Sequence, residues 1–341
     1  MPVAERGPAS ERGAALLTVL LLVAVMAVIT AVALERLTLA SRMAQNGAGA
    51  DQGRALLIAG EAIAAYRLGD LVKASPGKTT LAGGWLGTPQ SVPVPGGSVV
   101  ARVTDAGNCF NVNSLVTGGG SIGDPAPDSA SGTYSTRPDG VKQFKALMRL
   151  LGVEQNAAAT IAASVADWID TDAVPGDGGA EDSFYQQMPV TYRTAGGLIV
   201  DPSELRVIHG MTPAIYSRLR PWLCALPLGD LSPININTLL PDQAILLAML
   251  TDGKLSPETA RQLLARRPGD GYGSLVTFWA QPELAKLGLP EEVTGQAKLT
   301  SRWFAVDLRV DLGGTDVIET ALFDAENTPA RLIRRRWGDD S

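Results

Sequence analysis

One uncharged stretch near the N-terminus constrains what this chain can fold into. Residues 14–34 read AALLTVLLLVAVMAVITAVAL and contain no charged side chain over 21 positions. As an α-helix this stretch would be about 31 Å long, enough to cross the hydrocarbon core of a bilayer. It is longer than the apolar core of a cleaved signal peptide, and no A-x-A-like site follows it. We therefore expect one membrane span, in its simplest form a signal anchor with a cytoplasmic N-terminus and an outer domain.

The composition excludes several classes of protein. The chain has 35 Asp and Glu against 29 Lys and Arg, and its net charge of −6 disfavours a broadly basic nucleic-acid-binding protein. Two cysteines and one histidine are too few for a disulfide-rich scaffold, a four-cysteine zinc site or a multi-histidine metal site. We interpret the one histidine, His209 before Gly210, as a residue at a helix end. A G-x-S-x-G match at 119–123 lacks the strand and helix of a nucleophile elbow, so we interpret it as chance.

A short charged leader ends where the apolar stretch begins. Glu11, Arg12 and Gly13 directly precede Ala14. This junction resembles the prepilin peptidase site of type IV pilins and of type II secretion pseudopilins, in which cleavage separates the glycine from the apolar helix. The resemblance implies a processing site between Gly13 and Ala14.

The fifth residue after that junction is Thr18. Most members of the pilin group carry glutamate at this position, and the departure is similar to one branch, the general secretion pathway protein K (GspK) family of minor pseudopilins. A carboxylate within the membrane costs several kcal/mol unless a neighbouring subunit's terminal amine neutralises it. A subunit with no other subunit above it does not need that carboxylate, so Thr18 is compatible with a place at the tip.

An acidic block in the middle of the chain is its most specific motif. DWIDTD at 167–172 and GAEDSFY at 179–185 resemble the D-W-x-D-x-D … G-A-E-D-x-x-Y block of the same family. The block places six carboxylates within 16 residues. Such carboxylates repel one another without a cation, and hard oxygen ligands suit calcium. An EF-hand is excluded, because Val174 and Pro175 stand where that loop needs a ligand and a glycine.

Two interpretations of the block remain open from the residues alone. One is a solvated acidic loop whose aspartates cap helices, and the other is a cation site. The family resemblance implies bound calcium, and we predict Asp172, Glu181 and Asp182 as the first ligands, with Asp170 and Asp177 in reserve.

The rest of the chain indicates the order of its parts. Helix-compatible sequence continues to about Leu71, with an apolar stripe at Leu56, Ala59, Ile63 and Tyr66. Alternating segments at 98–103, 303–312 and 316–323 predict strands. FNVNSL at 110–115 and ININTL at 234–239 each predict a strand that passes into a helical unit.

The resemblance implies an α+β fold of the pilin type: a long N-terminal transmembrane helix packed on a small antiparallel sheet, with a large inserted all-α region of two subdomains. We predict these segments: 1–13, a prepilin leader; 14–107, the transmembrane and stem helix with the first strands; 108–228, a first α subdomain with the acidic metal loop; 229–300, a second subdomain resembling a helix-hairpin-helix; 301–341, the returning strands and a basic tail. We expect that tail, which holds Arg331 and Arg334 to Arg336, to be a solvated end.

The two cysteines lie near the two predicted strand-to-helix junctions. Outside the cytoplasm Cys109 and Cys224 can pair, and the alternative is two buried thiols. We predict one disulfide.

The second helical unit suggests an alternative function. Residues 234–279 resemble the repeat of DNA-uptake receptors, which bind phosphates through a glycine-rich hairpin. Here the hairpin reads LTDGKLSP at 250–257, with one glycine and the acidic Asp252. We therefore expect no nucleic-acid binding, and keep a membrane-anchored periplasmic DNA receptor as the alternative. A weaker alternative is a membrane-anchored hydrolase that depends on Ser121.

Taken together, the resemblance implies a non-enzymatic minor pseudopilin in the inner membrane, with a single span and its C-terminal domain in the periplasm. It implies assembly with the minor pseudopilins I and J at the pseudopilus tip, which the chain would cap in support of protein export across the outer membrane. The other implied partners are the prepilin peptidase and the inner-membrane assembly platform.

Overall fold

A single helix of 66 residues, α1 (Ala9–Ala74), joins the apolar stretch to the folded part of the chain. The computed structural model describes residues 9–119 and 133–338, with side chains from residue 13 onward. The apolar part of this helix is long enough to cross a membrane and is not buried at all by the rest of the protein. The predicted transmembrane helix is confirmed, and it continues without a break into the stem.

The other elements alternate between a sheet and short helices. In chain order they are β1 (Gln90–Val94), β2 (Gly97–Asp105), β3 (Phe110–Asn111), β4 (Val116–Gly118), β5 (Tyr134–Thr136), α2 (Pro138–Leu150), α3 (Gln155–Ile169), α4 (Asp182–Tyr185), α5 (Pro213–Leu219), β6 (Leu223–Cys224), β7 (Ile234–Asn235), α6 (Ala244–Leu250), α7 (Pro257–Ala265), α8 (Leu275–Trp279), α9 (Pro282–Ala285), α10 (Glu291–Thr294), β8 (Ala297–Lys298), β9 (Trp303–Leu312), β10 (Thr315–Asp324) and β11 (Arg331–Trp337). Short 3₁₀ helices lie at Val112–Leu115, Pro202–Val207, Arg220–Trp222 and Pro241–Gln243.

The main sheet is antiparallel, with five strands in the order β1-β2-β9-β10-β11. Strands β2 and β9 are neighbours, and Asp105 is paired with Phe304. The chain therefore leaves the sheet after β2 and returns at β9 almost at the same point, with the helical region inserted between. This arrangement confirms the predicted α+β fold with an inserted helical region.

The stem packs on the sheet through a face that includes glycines. Leu57 and Leu68 are buried against Phe304 and Leu308. A Cβ atom at Gly53 would lie 2.8 Å from Cγ2 of Val317, closer than real contacts allow. The glycines that weaken helix propensity in this segment thus permit the helix to approach the sheet.

The apolar stripe predicted for the stem mostly faces away from the sheet, although Leu56 is half-buried against it. Ile63 is 62% exposed and Tyr66 is 63% exposed, whereas Leu57 is fully buried. The stem is apolar on both sides over this segment, so periodicity alone does not choose the buried side. The sheet selects the side on which Gly53 and Leu57 allow close packing.

The prediction that the basic tail is a solvated end is wrong. The tail forms strand β11 at the edge of the sheet. Arg335 reaches back to the stem and forms an ion pair with Glu61, and its Nε lies 3.6 Å from Oε1 of Glu319. Glu61 and Glu319 are 5% and 0% exposed. A run of arginines gives no alternating apolar pattern, so the sequence alone does not predict this strand, which is held in part by these buried carboxylates and by the pair of Arg336 with Asp201.

The inserted region contains two helical units built on the same plan. Each is framed by a short parallel strand pair, β3 with β6 and β7 with β8. The side chain of Asn113 bonds the backbone N–H and carbonyl of Ile199, at 2.8 and 2.9 Å. Asn237 does the same for Tyr272. The repeated Asn pattern therefore marks where each unit begins, as predicted, because a buried Asn side chain supplies partners that the short strands lack.

Candidate functional site

The acidic block forms a loop that begins where α3 ends. Asp170 caps the C-terminus of that helix, and Glu181 directly precedes α4. The loop between them turns back, so that one oxygen each of Asp170, Asp172 and Glu181 lie within 4.8 Å of one another. Residues 11 positions apart in sequence are thus brought to one point.

Hydrogen bonds within the block hold this loop in place. Asp167, on the last turn of α3, accepts the N–H of Gly176 at 3.1 Å. Asp172 accepts the N–H of Val174 at 2.8 Å. A Cβ atom at Gly179 would lie 2.0 Å from Oδ2 of Asp167, so the loop needs glycine there. Asp167 therefore holds the backbone of the loop in place and is not one of the three clustered carboxylates.

The clustered carboxylates are poorly compensated. Asp170 and Glu181 are each 4% exposed. Among the described residues, Oδ1 of Asp170 and Oε1 of Glu181 have no hydrogen-bond partner, while Oδ2 of Asp170 accepts from Thr136 at 3.0 Å. Burial, with repulsion from the neighbouring carboxylates, raises the pKa of Asp170 to about 6 and that of Glu181 to about 7. Two buried, unpartnered oxygens beside a third carboxylate fit a bound cation.

The chemistry of this donor set indicates which cation fits. Three carboxylates with no nitrogen or sulfur donor form a hard oxygen site, which suits calcium better than zinc or copper. A cation at this point would also remove the repulsion that raises the two pKa values.

The other two predicted ligands lie elsewhere. Asp182 Oδ1 accepts the N–H and the hydroxyl of Thr194, at 2.8 and 3.0 Å, and Oδ2 lies 3.9 Å from Arg193. Asp177 is exposed in the loop and outside the cluster. The structure thus brings together Asp170, Asp172 and Glu181, and places Asp182 in a role that fixes the following segment.

The predicted processing residues lie within α1. Gly13 and Ala14 are exposed, and a Cβ atom at Gly13 would meet nothing within 4 Å. The Thr18 hydroxyl donates to the backbone carbonyl of Ala15 at 2.9 Å. Thr18 is therefore satisfied inside its own helix and needs no partner from another subunit. Residues 1–8 of the predicted leader lie outside the described residues.

The two cysteines lie on the paired strands β3 and β6 or beside them, and a disulfide joins Cys109 to Cys224 with their Cα atoms 5.8 Å apart. The bond links the start and the end of the first helical unit.

The hairpin between α6 and α7 forms ion pairs with another helix of the same protein. Asp252 has a φ of 55°, a left-handed conformation at the tip of the turn. Its carboxylate pairs with Arg149 at 2.9 Å and with Lys142 at 3.7 Å, both on α2. An acidic side chain held by the chain's own cations stands where a phosphate-binding hairpin would present backbone N–H groups.

The contacts of His209 within the described part of the chain are structural. His209 follows a 3₁₀ helix and packs its ring 4.3 Å from that of Phe184. Ser121 lies outside the described residues. Sequence reasoning missed the Glu61–Arg335–Glu319 cluster, for which the only signal was a lone Glu in an otherwise apolar stretch of the stem.

Comparison with known proteins identifies the group to which the chain is similar. Two family models, both described as Type II secretion system (T2SS), protein K, match residues 108–228 and 234–299. The type II secretion system protein K of Pectobacterium carotovorum is 34% identical over 96% of this chain and 97% of its own length. That of Aeromonas hydrophila is 35% identical over the same shares.

A solved structure gives the same result for the fold. The GspK–GspI–GspJ complex of the enterotoxigenic Escherichia coli type 2 secretion system contains a chain that matches with a TM-score of 0.71 and 29% identity. The match covers 85% of this chain and 97% of that one.

Proposed function

Because the chain belongs to the type II secretion system protein K family and is thus a minor pseudopilin, we propose that it caps the tip of the pseudopilus and supports protein export. The observation that carries this proposal is the position of the helical insertion on the stem and sheet.

The insertion leaves the sheet at the end that faces away from the membrane. Gly49 of the stem contacts Thr315 at the β9–β10 turn, whereas Gly69, further from the membrane span, contacts Thr328. The insertion starts after Asp105 and ends before Trp303, at the same end of the sheet as Thr328. A region of almost 200 residues there would obstruct a subunit added above, while the stem below stays open for packing.

We propose minor pseudopilins I and J as the partners. The solved relative is a complex of GspK with GspI and GspJ. In a membrane, helices associate through close packing rather than hydrophobic burial, and the exposed apolar half of α1 is suited to that contact. Co-purification from membranes should yield all three proteins together. Labelling assembled pseudopili with an antibody to the insertion should mark one end only, and label along the whole filament would contradict the cap.

The proposal includes placement and processing. The protein is anchored in the inner membrane by one span, its C-terminal domain lies in the periplasm, and the assembly platform receives it there. Prepilin peptidase removes residues 1–13. Intact mass of protein made with and without the peptidase should differ by that leader, and an unchanged mass would remove this part of the proposal.

We propose no catalytic or DNA-binding role. Packing of His209 against Phe184 and pairing of Asp252 with Arg149 support this, because each side chain already has a structural partner. Duplex DNA should not be retarded in a gel shift at moderate salt, and a clear shift would favour the receptor alternative.

We propose that Asp170, Asp172 and Glu181 hold a calcium ion that fixes the acidic loop. Calcium should raise the melting temperature of the wild type, and chelator should reverse the rise. Glu181→Gln should abolish the rise, since it removes a buried, otherwise unpartnered oxygen. Asp177→Asn is the matched control, because Asp177 lies in the same loop outside the cluster. An equal loss in both variants would contradict this ligand set.

A further inference from the structure

A cleft lies between the outer face of the sheet and the first helical unit. Its volume is about 290 Å³, near the lower limit for pockets that hold small molecules. The Cys109–Cys224 disulfide forms part of its wall, and the sheet contributes Asp307 and Thr320. It lies outside the acidic loop, and neither the proposed cap nor the proposed calcium site uses it.

Two kinds of side chain line the cleft. Leu223, Leu226 and Leu322 supply apolar surface, while Arg220, Arg334 and Arg336 supply three guanidinium groups. Two carboxylates also line it. Asp201 pairs with Arg336 at 3.3 Å, and Asp307 accepts the hydroxyl of Thr320 at 2.9 Å. The cations therefore outnumber the anions, and both carboxylates are already engaged.

Arg334 binds backbone carbonyls rather than a carboxylate. Its Nη1 donates to the carbonyls of Val200 and Ala225, and among the described residues it has no carboxylate within ion-pair distance. Burial lowers the pKa of Arg334, and the nearby Arg336 and Arg220 act in the same direction, against the opposite effect of Asp201. Arg334 is thus a partly buried cation with other cations nearby. Its Nε and Nη2 groups are available to bind an anion.

We propose that this cleft binds a carboxylate joined to a short aliphatic group, with Arg334 as the anchor and Leu223, Leu226 and Leu322 around the aliphatic part. The planar guanidinium matches a carboxylate in a two-point hydrogen bond, and the adjacent apolar surface selects against small hydrophilic anions. Such a group occurs at the C-terminus of a polypeptide that ends in an apolar residue, and in free short-chain acids.

The test uses the full chain in a non-ionic detergent with N-acetyl-leucine, hexanoate, N-acetyl-leucinamide and inorganic phosphate as probes. Titration calorimetry should detect N-acetyl-leucine or hexanoate, with the amide and phosphate at least tenfold weaker. Tighter binding of N-acetyl-leucine than of hexanoate would identify a polypeptide end, and the reverse order a free acid. Binding of neither carboxylate, or equal binding of the amide or phosphate, would overturn the proposal.

Three variants locate the site. Arg334→Gln should weaken carboxylate binding at least tenfold, whereas Arg331→Gln, an exposed arginine of the same strand outside the cleft, should leave it unchanged. Thr320→Phe keeps every arginine and fills the cleft from the sheet, so it should also abolish binding. Retention of binding by Thr320→Phe would overturn the assignment even if Arg334→Gln proved unstable, and circular dichroism would verify the fold of each variant.

Discussion

The proposed calcium site makes the charge state of the acidic loop depend on pH and on calcium together. The pKa values of Asp170 and Glu181 are raised, to about 6 and about 7, so the folded protein holds these protons more tightly than the unfolded chain. The calcium-free protein should therefore lose stability as pH rises from about 4 to about 7, and then level off. Calcium favours the ionised form and should restore this loss.

Melting curves at pH 5 and pH 8, with calcium and with chelator, test this expectation. The rise in melting temperature caused by calcium should be larger at pH 8. Glu181→Gln should show a weaker fall with pH in chelator and no calcium response. A calcium effect of equal size at both pH values would contradict the coupling.

A second pH-dependent group lies between the stem and the sheet. Burial and the neighbouring Glu61 raise the pKa of Glu319 to about 8, whereas hydrogen bonds from Arg335 and Glu319 hold that of Glu61 below its usual range in spite of burial. Glu319 is thus protonated at pH 7, and its contribution falls as pH rises from about 4.5 to about 8.

Glu319→Gln imitates the protonated acid. We expect its free energy of unfolding to match the wild type at pH 6 and to exceed it at pH 9. Glu61→Gln removes the carboxylate that pairs with Arg335 and should lower stability at both pH values, by about 1–3 kcal/mol. Denaturant titrations measure both variants, and an equal destabilisation by the two would mean that Glu319 is ionised in the folded state.

At this scale the sequence predicted part of the candidate site and missed the rest. The density of carboxylates at 167–182 marked the loop, because six acidic side chains within 16 residues repel one another without a cation. The sequence did not show which oxygens converge, since that depends on how Asp167 and Gly179 turn the chain. Glu61 and Glu319 are 258 residues apart, and only the folded sheet makes them neighbours.

Glycines decide how closely the stem approaches the sheet. At Gly53 a Cβ atom would meet Cγ2 of Val317 at 2.8 Å, whereas at Gly60 it would meet Leu308 at an ordinary 3.5 Å. Replacing glycine by alanine within a helix gains about 1 kcal/mol in propensity where the space allows it. The two positions therefore predict opposite results for the same substitution.

Gly60→Ala should raise the free energy of unfolding by about 0.5–1 kcal/mol. Gly53→Ala should lower it by about 1–3 kcal/mol, because the branched Val317 cannot move aside without disturbing β10. Chemical denaturation of both variants under the same conditions checks the pair. A gain at both positions would show that the helix and the sheet have room to adjust.

Element-scale prediction from sequence succeeded where a pattern belongs to one segment alone. The alternation in β9 and β10 was enough to predict both strands, and the paired Asn motifs marked where the helical units begin. The buried side of the stem and strand β11 were not predictable, because each depends on a partner. The stem is apolar on two sides, and Arg335 becomes compatible with a strand only through Glu61 and Glu319.

At the scale of the molecule, the entire insertion is connected to the sheet through two neighbouring strands, β2 and β9. The chain departs after Asp105, whose buried carboxylate accepts hydrogen bonds from Thr238 and Ser301. Asn108 also donates to the Thr238 hydroxyl at 2.9 Å. The second helical unit is therefore attached directly to the sheet. The first is attached to the sheet through Arg334 and Arg336 of β11, and is closed by its own strand pair and by the bond between Cys109 and Cys224.

The disulfide closes the first helical unit over a separation of 115 residues. A loop of this length should restrict the unfolded chain strongly, so loss of the bond should lower the free energy of unfolding by about 3–5 kcal/mol. Cys109→Ala, Cys224→Ala and the double variant should lose similar amounts of stability, because each removes the same cross-link.

Reduction of the wild type should have the same effect, measured by denaturant titration with dithiothreitol. If the double variant lost the sum of the single losses, packing of the two side chains and not the cross-link would account for the stability. The acidic loop lies inside the closed segment, so the oxidised protein should also keep its calcium response at denaturant concentrations where the reduced protein has lost it.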